Sequence, residues 1–458
     1  MSLVSEEFLS DFRLPKAIQQ LIEVLSEHQR KINGVKPPSS TGQVRYEEML
    51  QAFSRIRGSK LYFPYLGSGI GKGSLVELLD GSVKYDMISG IGVHFFGHSH
   101  PELTAIAISS SLSDILIEGN LQQNADSVEL VQLLSRVSGL PHCFLTSSGV
   151  MANENALKIA FQKNFPASRI LAFDRCFAGR SLTFSQVTDK PAFRQGLPLN
   201  VPVDYIPYFD SEHPEESTQL AVHTLKKLLY RYPRTYALML FELIQGEGGV
   251  YSGSHAFFKA LMDILKENHI AILADEIQTF GRTSELFAYQ HFGLQEYIDI
   301  ATIGKLSHCC ATLFSEEYQP KPSLLSQTFT SSTACIRASK WIIETLVQGN
   351  FYGQKGRVKE IEQRFHNHLE SLHEQFPEMI KGPFGVGGMI AFTPYNGEQD
   401  KVASFIQKLF DAGVITFIAG SQPTRVRMLV PVGVITDDEI DDVMSIIRKV
   451  LTEPSLCM

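Results

Sequence analysis

The stretch LADEIQTFGRTSELFAYQHFGLQEYIDIATIGK, residues 273–305, decides how the chain folds. It is entered through an apolar run, AILADE, that stops at two carboxylates. It leaves through a second run, DIATIGK, that stops at a lysine. Both read as buried strands with a charged tip. In a mostly parallel sheet such tips lie along the carboxyl edge, where open α/β folds build their sites. An aspartate and a lysine brought together there suit a pyridine-ring cofactor, the carboxylate pairing with the ring nitrogen and the amine holding the aldehyde.

Composition permits that reading. The 458 residues suffice for two or three domains with sizeable cores, and 44% hydrophobic with 20% charged residues is an ordinary globular balance. A formal net charge of -8 disfavours nucleic acid and anionic membranes, so a small-molecule partner is expected. The six cysteines (Cys143, Cys176, Cys309, Cys310, Cys335, Cys457) show no CxxC spacing, which suits a reducing cytoplasm. The first residues carry acids where a leader wants bases, and no apolar run reaches the length of a membrane span. Neither leader nor membrane is expected.

Working outward, residues 1–60 read as helices of mixed charge, and Asp80-Gly81 between two apolar runs reads as a hairpin turn. GSGIGKGS lacks the spacing of a phosphate loop, since Leu66 stands at the first glycine position and Gly73 follows Lys72; a glycine-rich loop near the cleft is expected. His94, His98 and His100 lack the companions of a metal site and read as turn and helix-start residues. From residue 100 onward, short apolar runs (HCFLT, RILAF, VDYIPYF, YALMLFELIQ, AILADE, DIATIGK) alternate with helical stretches, the rhythm of a doubly wound α/β unit. Near residue 335 a long helix leads into a smaller α+β region closed by DDEIDDVMSIIRKVL, with acids in its first turn and bases in its last.

Several turns beside the strand tips add chemistry. Ser147, Ser148, Gly149 and Val150 begin a helix and offer free amides to a phosphate, although Ser148 capping its own helix would look the same. Phe177 can give a ring face and Arg180 a fork for a carboxylate; a core phenylalanine and a surface arginine are the plain alternative. Glu242 and Glu247 add two carboxylates for acid–base work or for pairing with an arginine.

The pieces GIGVHFFGHSHPE, SSGVMANENALK, FAGRS, FELIQGEGG, LADEIQTFGRT and DIATIGK, in this order and spacing over residues 60–345, resemble the class III aminotransferases, pyridoxal-phosphate enzymes of fold type I. The pattern is most like the ω-amino group, the lysine ε-type first. The resemblance implies a large doubly wound domain at 89–345 and a smaller α+β domain from 1–88 and 346–458. It implies that Lys305 condenses with the cofactor aldehyde, Asp275 pairs with the ring nitrogen, Gln278 lies by the ring hydroxyl and Phe177 stacks on the ring. Ser148, Gly149 and Val150 would hold the phosphate, and Thr328 would reach it from the other subunit of a homodimer. Arg180 would bind the donor carboxylate, with Glu242 nearby. Arg427, or Arg425 by a shifted register, would bind the α-carboxylate of the glutamate/2-oxoglutarate pair, with Glu247 as its ion-pair switch. The implied reaction moves an amino group from lysine, ornithine, 4-aminobutyrate or acetylornithine to 2-oxoglutarate, lysine being the first expectation. An aminomutase, a decarboxylase and a non-catalytic dimer are the other readings. Met151, Ala178, Leu243 and the LSHCC after Lys305 depart from the family pattern.

Overall fold

The computed structural model describes residues 3–40 and 42–453. Its centre is a seven-stranded sheet. In chain order the strands are β1 (His142–Thr146), β2 (Arg169–Phe173), β3 (Val203–Ile206), β4 (Tyr236–Phe241), β5 (Ala271–Asp275), β6 (Ile300–Ile303) and β7 (Cys310–Phe314). Across the sheet they run β1-β7-β6-β5-β4-β2-β3. β3, β2, β4, β5 and β6 are mutually parallel, and β7 alone is reversed, pairing antiparallel with both β6 and β1. Every residue of β4 and β5 is buried, which explains their unbroken apolar sequence: helices cover both faces of the sheet. This is the fold type I architecture expected from the sequence.

Topology assembles the site. Asp275 is the last residue of β5 and lies opposite Thr302 of the parallel β6, so Lys305, three residues on, emerges at the same edge. The same edge receives the turns after β1, β2 and β4, which carry Ser148, Phe177 and Glu242. The reversal of β7 starts that strand with Cys310 at this edge too, opposite Thr146.

Outside the central sheet, helices fill much of residues 4–57, as expected. The Asp80-Gly81 turn joins Leu75–Leu78 to Val83–Asp86 in an antiparallel pair, with Gly81 at φ 82°. The glycine-rich GSGIGK is not a loop but an edge strand, Gly67–Lys72, paired with Leu75–Leu78. Its glycines serve close packing, since a Cβ on Gly71 would stand 2.4 Å from that of His98. The stretch read as one long helix near residue 335 is two, Thr333–Gln348 and Arg357–Gln375, parted by a turn holding Gly349, Gly353 and Gly356. His100 precedes the helix Pro101–Ser110 and His98 bonds Asp86; among the described residues no group of ligands could hold a metal ion. A last sheet, Ile380–Val386, Met389–Pro394, Arg425–Leu429 and Phe417–Ala419, is antiparallel, and the closing helix Asp437–Leu451 is capped reciprocally by Thr436 and Glu439. Among the described residues no helix is long and apolar enough to cross a membrane, and Cys457 lies outside them.

Arg282 ties these parts together. It is fully buried, and its guanidinium donates to the carbonyls of Gly92 (2.8 Å) and Val430 (3.2 Å). Its own carbonyl accepts from the Gly388 amide. One residue of the quoted stretch thereby ties Gly92, and Gly388 and Val430 of the C-terminal region, to the turn that follows β5. Replacing it should cost more than its packing, because two carbonyls lose a charged donor. Arg282→Leu is expected to lower stability by about 3 kcal/mol in urea unfolding.

Candidate active site

A cavity of about 200 Å³ opens at the carboxyl edge, lined by Gly149, Val150, Phe177, Glu242, Asp275, Gln278 and Lys305 among others. Seven of the residues singled out in the sequence therefore share one cleft.

Asp275 forms its floor. The buried carboxylate accepts from the Asn153 side-chain amide (2.8 Å) and the Ile277 backbone amide (3.0 Å). Burial nonetheless pushes its pKa up, against those donors and Lys305. Lys305 sits in the left-handed region at φ 54°, a strained setting for a side chain that the flanking turn must hold. Burial pushes its amine pKa down, opposed by Asp275 and helped by Arg427, which favours the neutral, nucleophilic amine.

A second network crosses the roof. Arg427, fully buried, donates to the Glu247 carboxylate (2.7 Å) and to Gln278 Oε1 (2.9 Å). Its Nε has no partner among the described residues. Burial works to raise the Glu247 pKa, but the Arg427 charge and hydrogen bond outweigh it and hold the carboxyl below its usual range. Gln278 passes so close to Gly246 that a Cβ there would stand 1.9 Å from its Oε1, so any larger residue at 246 would push the Gln278 amide from its place. Arg425 is held elsewhere, donating to the Gly249 carbonyl and stacking on Tyr251 and Phe384.

Glu242 accepts from the Phe177 amide (2.7 Å), and burial, aided by the Asp275 charge, raises its pKa to about 8. Ser148 caps its own 15-residue helix, α1 (Gly149–Lys163), by accepting from the Met151 amide. The amides of Gly149 and Val150, lining the cavity, have no acceptor within the helix and can receive a phosphate. Arg180 and Thr328 are the two not brought into the cleft: both are exposed, Arg180 stacked on Phe193 and Thr328 on the segment bonded to Glu118 and Asn120. Of the departures, Ala178 lines the cleft and Cys310 packs behind Gly304, while Leu243 is core.

The family model for class-III aminotransferases matches residues 68–451. The chain belongs to the class III aminotransferases. Acetylornithine aminotransferase of Methanocaldococcus jannaschii is 29% identical over 400 residues, 84% of this chain and 92% of that protein. Its Bacillus subtilis counterpart is 30% identical over 400 residues, 84% and 94% of the two chains. Among solved structures, lysine aminotransferase from M. tuberculosis matches with a TM-score of 0.78 at 23% identity, over 89% of this chain and 99% of that one. Ornithine aminotransferase from Toxoplasma gondii gives 0.77 at 22% identity, over 88% and 94%. At such identities the structural likeness speaks for the fold alone.

Class III aminotransferases use pyridoxal 5′-phosphate, and the residues present fit it. The incompletely compensated Asp275 carboxylate suits a cationic ring nitrogen, Phe177 and the cavity suit a planar ring, and the α1 amides suit a phosphate. Sequence reading missed Asn153, which bonds both Asp275 and the Ala178 carbonyl and accepts from Thr302 (2.8 Å). The available signal was an asparagine on the helix face that Ala152, Ala156 and Ala160 mark as buried.

Two outcomes are expected. Asn153→Ala should weaken pyridoxal phosphate binding about tenfold in a titration of the apoprotein, since one bond to a buried charge is lost. Glu242 is protonated in the folded chain up to about pH 8 but ionises near 4.5 when unfolded, so its contribution to stability falls as pH rises between those values. Glu242→Gln removes that loss, and its melting temperature should gain on the wild-type apoprotein from pH 5 to pH 8 and no further.

Proposed function

We propose that the protein transfers the amino group of an ω-amino acid (lysine, ornithine, acetylornithine or 4-aminobutyrate) to 2-oxoglutarate, yielding an aldehyde and glutamate. The observation that carries this reading is the Arg427–Glu247 pair over the cleft. A single pocket must accept a donor whose reacting carbon carries no carboxylate and an acceptor whose reacting carbon carries one. Glu247 covers the buried guanidinium for the first and swings away for the second, freeing Arg427 for the α-carboxylate.

Bound pyridoxal phosphate supplies an electron sink for the substrate carbon that bears nitrogen. Asp275 keeps the ring nitrogen protonated by charge pairing in a dry site. Lys305 Nζ would take up the proton leaving that carbon. Phe177 and the α1 amides hold ring and phosphate, and Gln278 lies by the ring hydroxyl. Arg180 takes the far carboxylate of the donor.

The exposed Thr328 suits a homodimer in which it meets the partner's phosphate. Phe329, Leu116, Ile117 and Leu121, all exposed on the same or the adjoining segment, give that face an apolar character. Five free cysteines among the described residues suit a reducing cytoplasm.

The two half-reactions separate the roles. Arg427→Ala should raise the KM for glutamate and 2-oxoglutarate more than tenfold while sparing the ω-amino donor, read by the absorbance change of the bound cofactor. Equal damage to both half-reactions would remove the switch, and no conversion by any of the four donors would remove the ω-amino reading.

A further inference from the structure

Phe193, on the short helix Pro191–Arg194, has no part in the scheme above, yet it gathers three groups beside the cleft. The Arg180 guanidinium lies 3.9 Å from its ring centre, and Lys190 Nζ lies 5.5 Å from it. Its edge meets the ring of Phe177 with centroids 6.4 Å apart and planes at 85°, and Phe177 lines the cavity. The aromatic pair therefore links the two cations to the wall of the cleft.

Neither cation has an acid partner among the described residues. The acids of the neighbourhood are engaged: Asp189 by the Arg175 amide and Arg194, Glu154 by Ser181, Glu247 by Arg427. Lys190 is close enough to Glu247 for its charge to help keep that carboxyl ionised. Two like charges on one ring repel, and an anion arriving between them relieves the repulsion. Arginine alone, on a flexible stem, would lose more freedom on binding that anion than an arginine already stacked.

We propose that Phe193 is a positioning residue: its ring holds Arg180, with Lys190 as a second charge, as a platform at the cleft mouth for the far carboxylate of the amino donor. This rests on the assignment of Arg180 to that carboxylate. It makes the cleft selective for substrates whose far end is anionic, namely the far carboxylate of the ω-amino donor and, with the α-carboxylate on Arg427, the side-chain carboxylate of glutamate.

The test uses the holoenzyme, the most reactive of the four donors, and pentanoate as a carboxylate that cannot react. Phe193→Leu keeps apolar bulk and removes the π face. It should raise the donor KM and the pentanoate Kd about three- to fivefold, with kcat within about twofold of wild type. Phe193→Trp should restore both. Lys190→Gln, an independent variant outside the ring packing, should raise the same two constants about twofold, an effect fading at high salt. Phe193→Leu lowering kcat as strongly as it raises the donor KM, or changing neither constant while Arg180→Ala raises the donor KM, overturns the platform. Arg180→Ala without effect on the donor KM overturns the Arg180 assignment itself, and the platform with it.

Discussion

A carboxylate does not stay buried without compensation, and the site is built around one that is. Asp275 ends a fully buried strand and receives only an amide from Asn153, an amide from Ile277 and the distant field of Lys305. Asn153 comes from α1 and Ile277 from the turn after β5, while the parallel pairing of β5 with β6 brings Lys305 to the same edge. Shift that register by one residue and Asp275 no longer lies opposite Thr302, whose hydroxyl orients Asn153. A cationic ring nitrogen would complete the compensation, so that fold and cofactor would share one electrostatic requirement.

The remaining charges follow the same logic at larger radius. Arg427 is buried but paired, Arg282 is buried but bonded to the carbonyls of Gly92 and Val430, and Glu242 is buried and keeps its proton up to about pH 8. Farther out, the exposed Arg180 and the half-buried Lys190 share the ring of Phe193. In the proposed scheme the inner charges would serve the cofactor and the α-carboxylate, and the outer pair the far end of the substrate.

Much of this was legible in the sequence. Apolar runs ending in charge located β5 and β6, and through them the carboxyl edge where Ser148, Phe177, Glu242, Asp275 and Lys305 converge. Glycine-rich GSGIGK was misread as a loop because glycine signals flexibility by composition, whereas here it allows a strand to pass close to His98. Asn153 escaped because its partners lie 122 and 149 residues away, and nothing local marks them. The choice between Arg425 and Arg427 also needed three dimensions: both are buried on one strand, but only Arg427 reaches Gln278 and Glu247.

The central claim is that Lys305 and Asp275 are the chemical pair of the cleft. Loading the protein with pyridoxal phosphate, reducing with borohydride and mapping the peptides tests it most directly. The account predicts a yellow protein with a single stable adduct on Lys305, formed far less readily in Asp275→Ala. An adduct on another lysine, or a colourless protein with none, would contradict it.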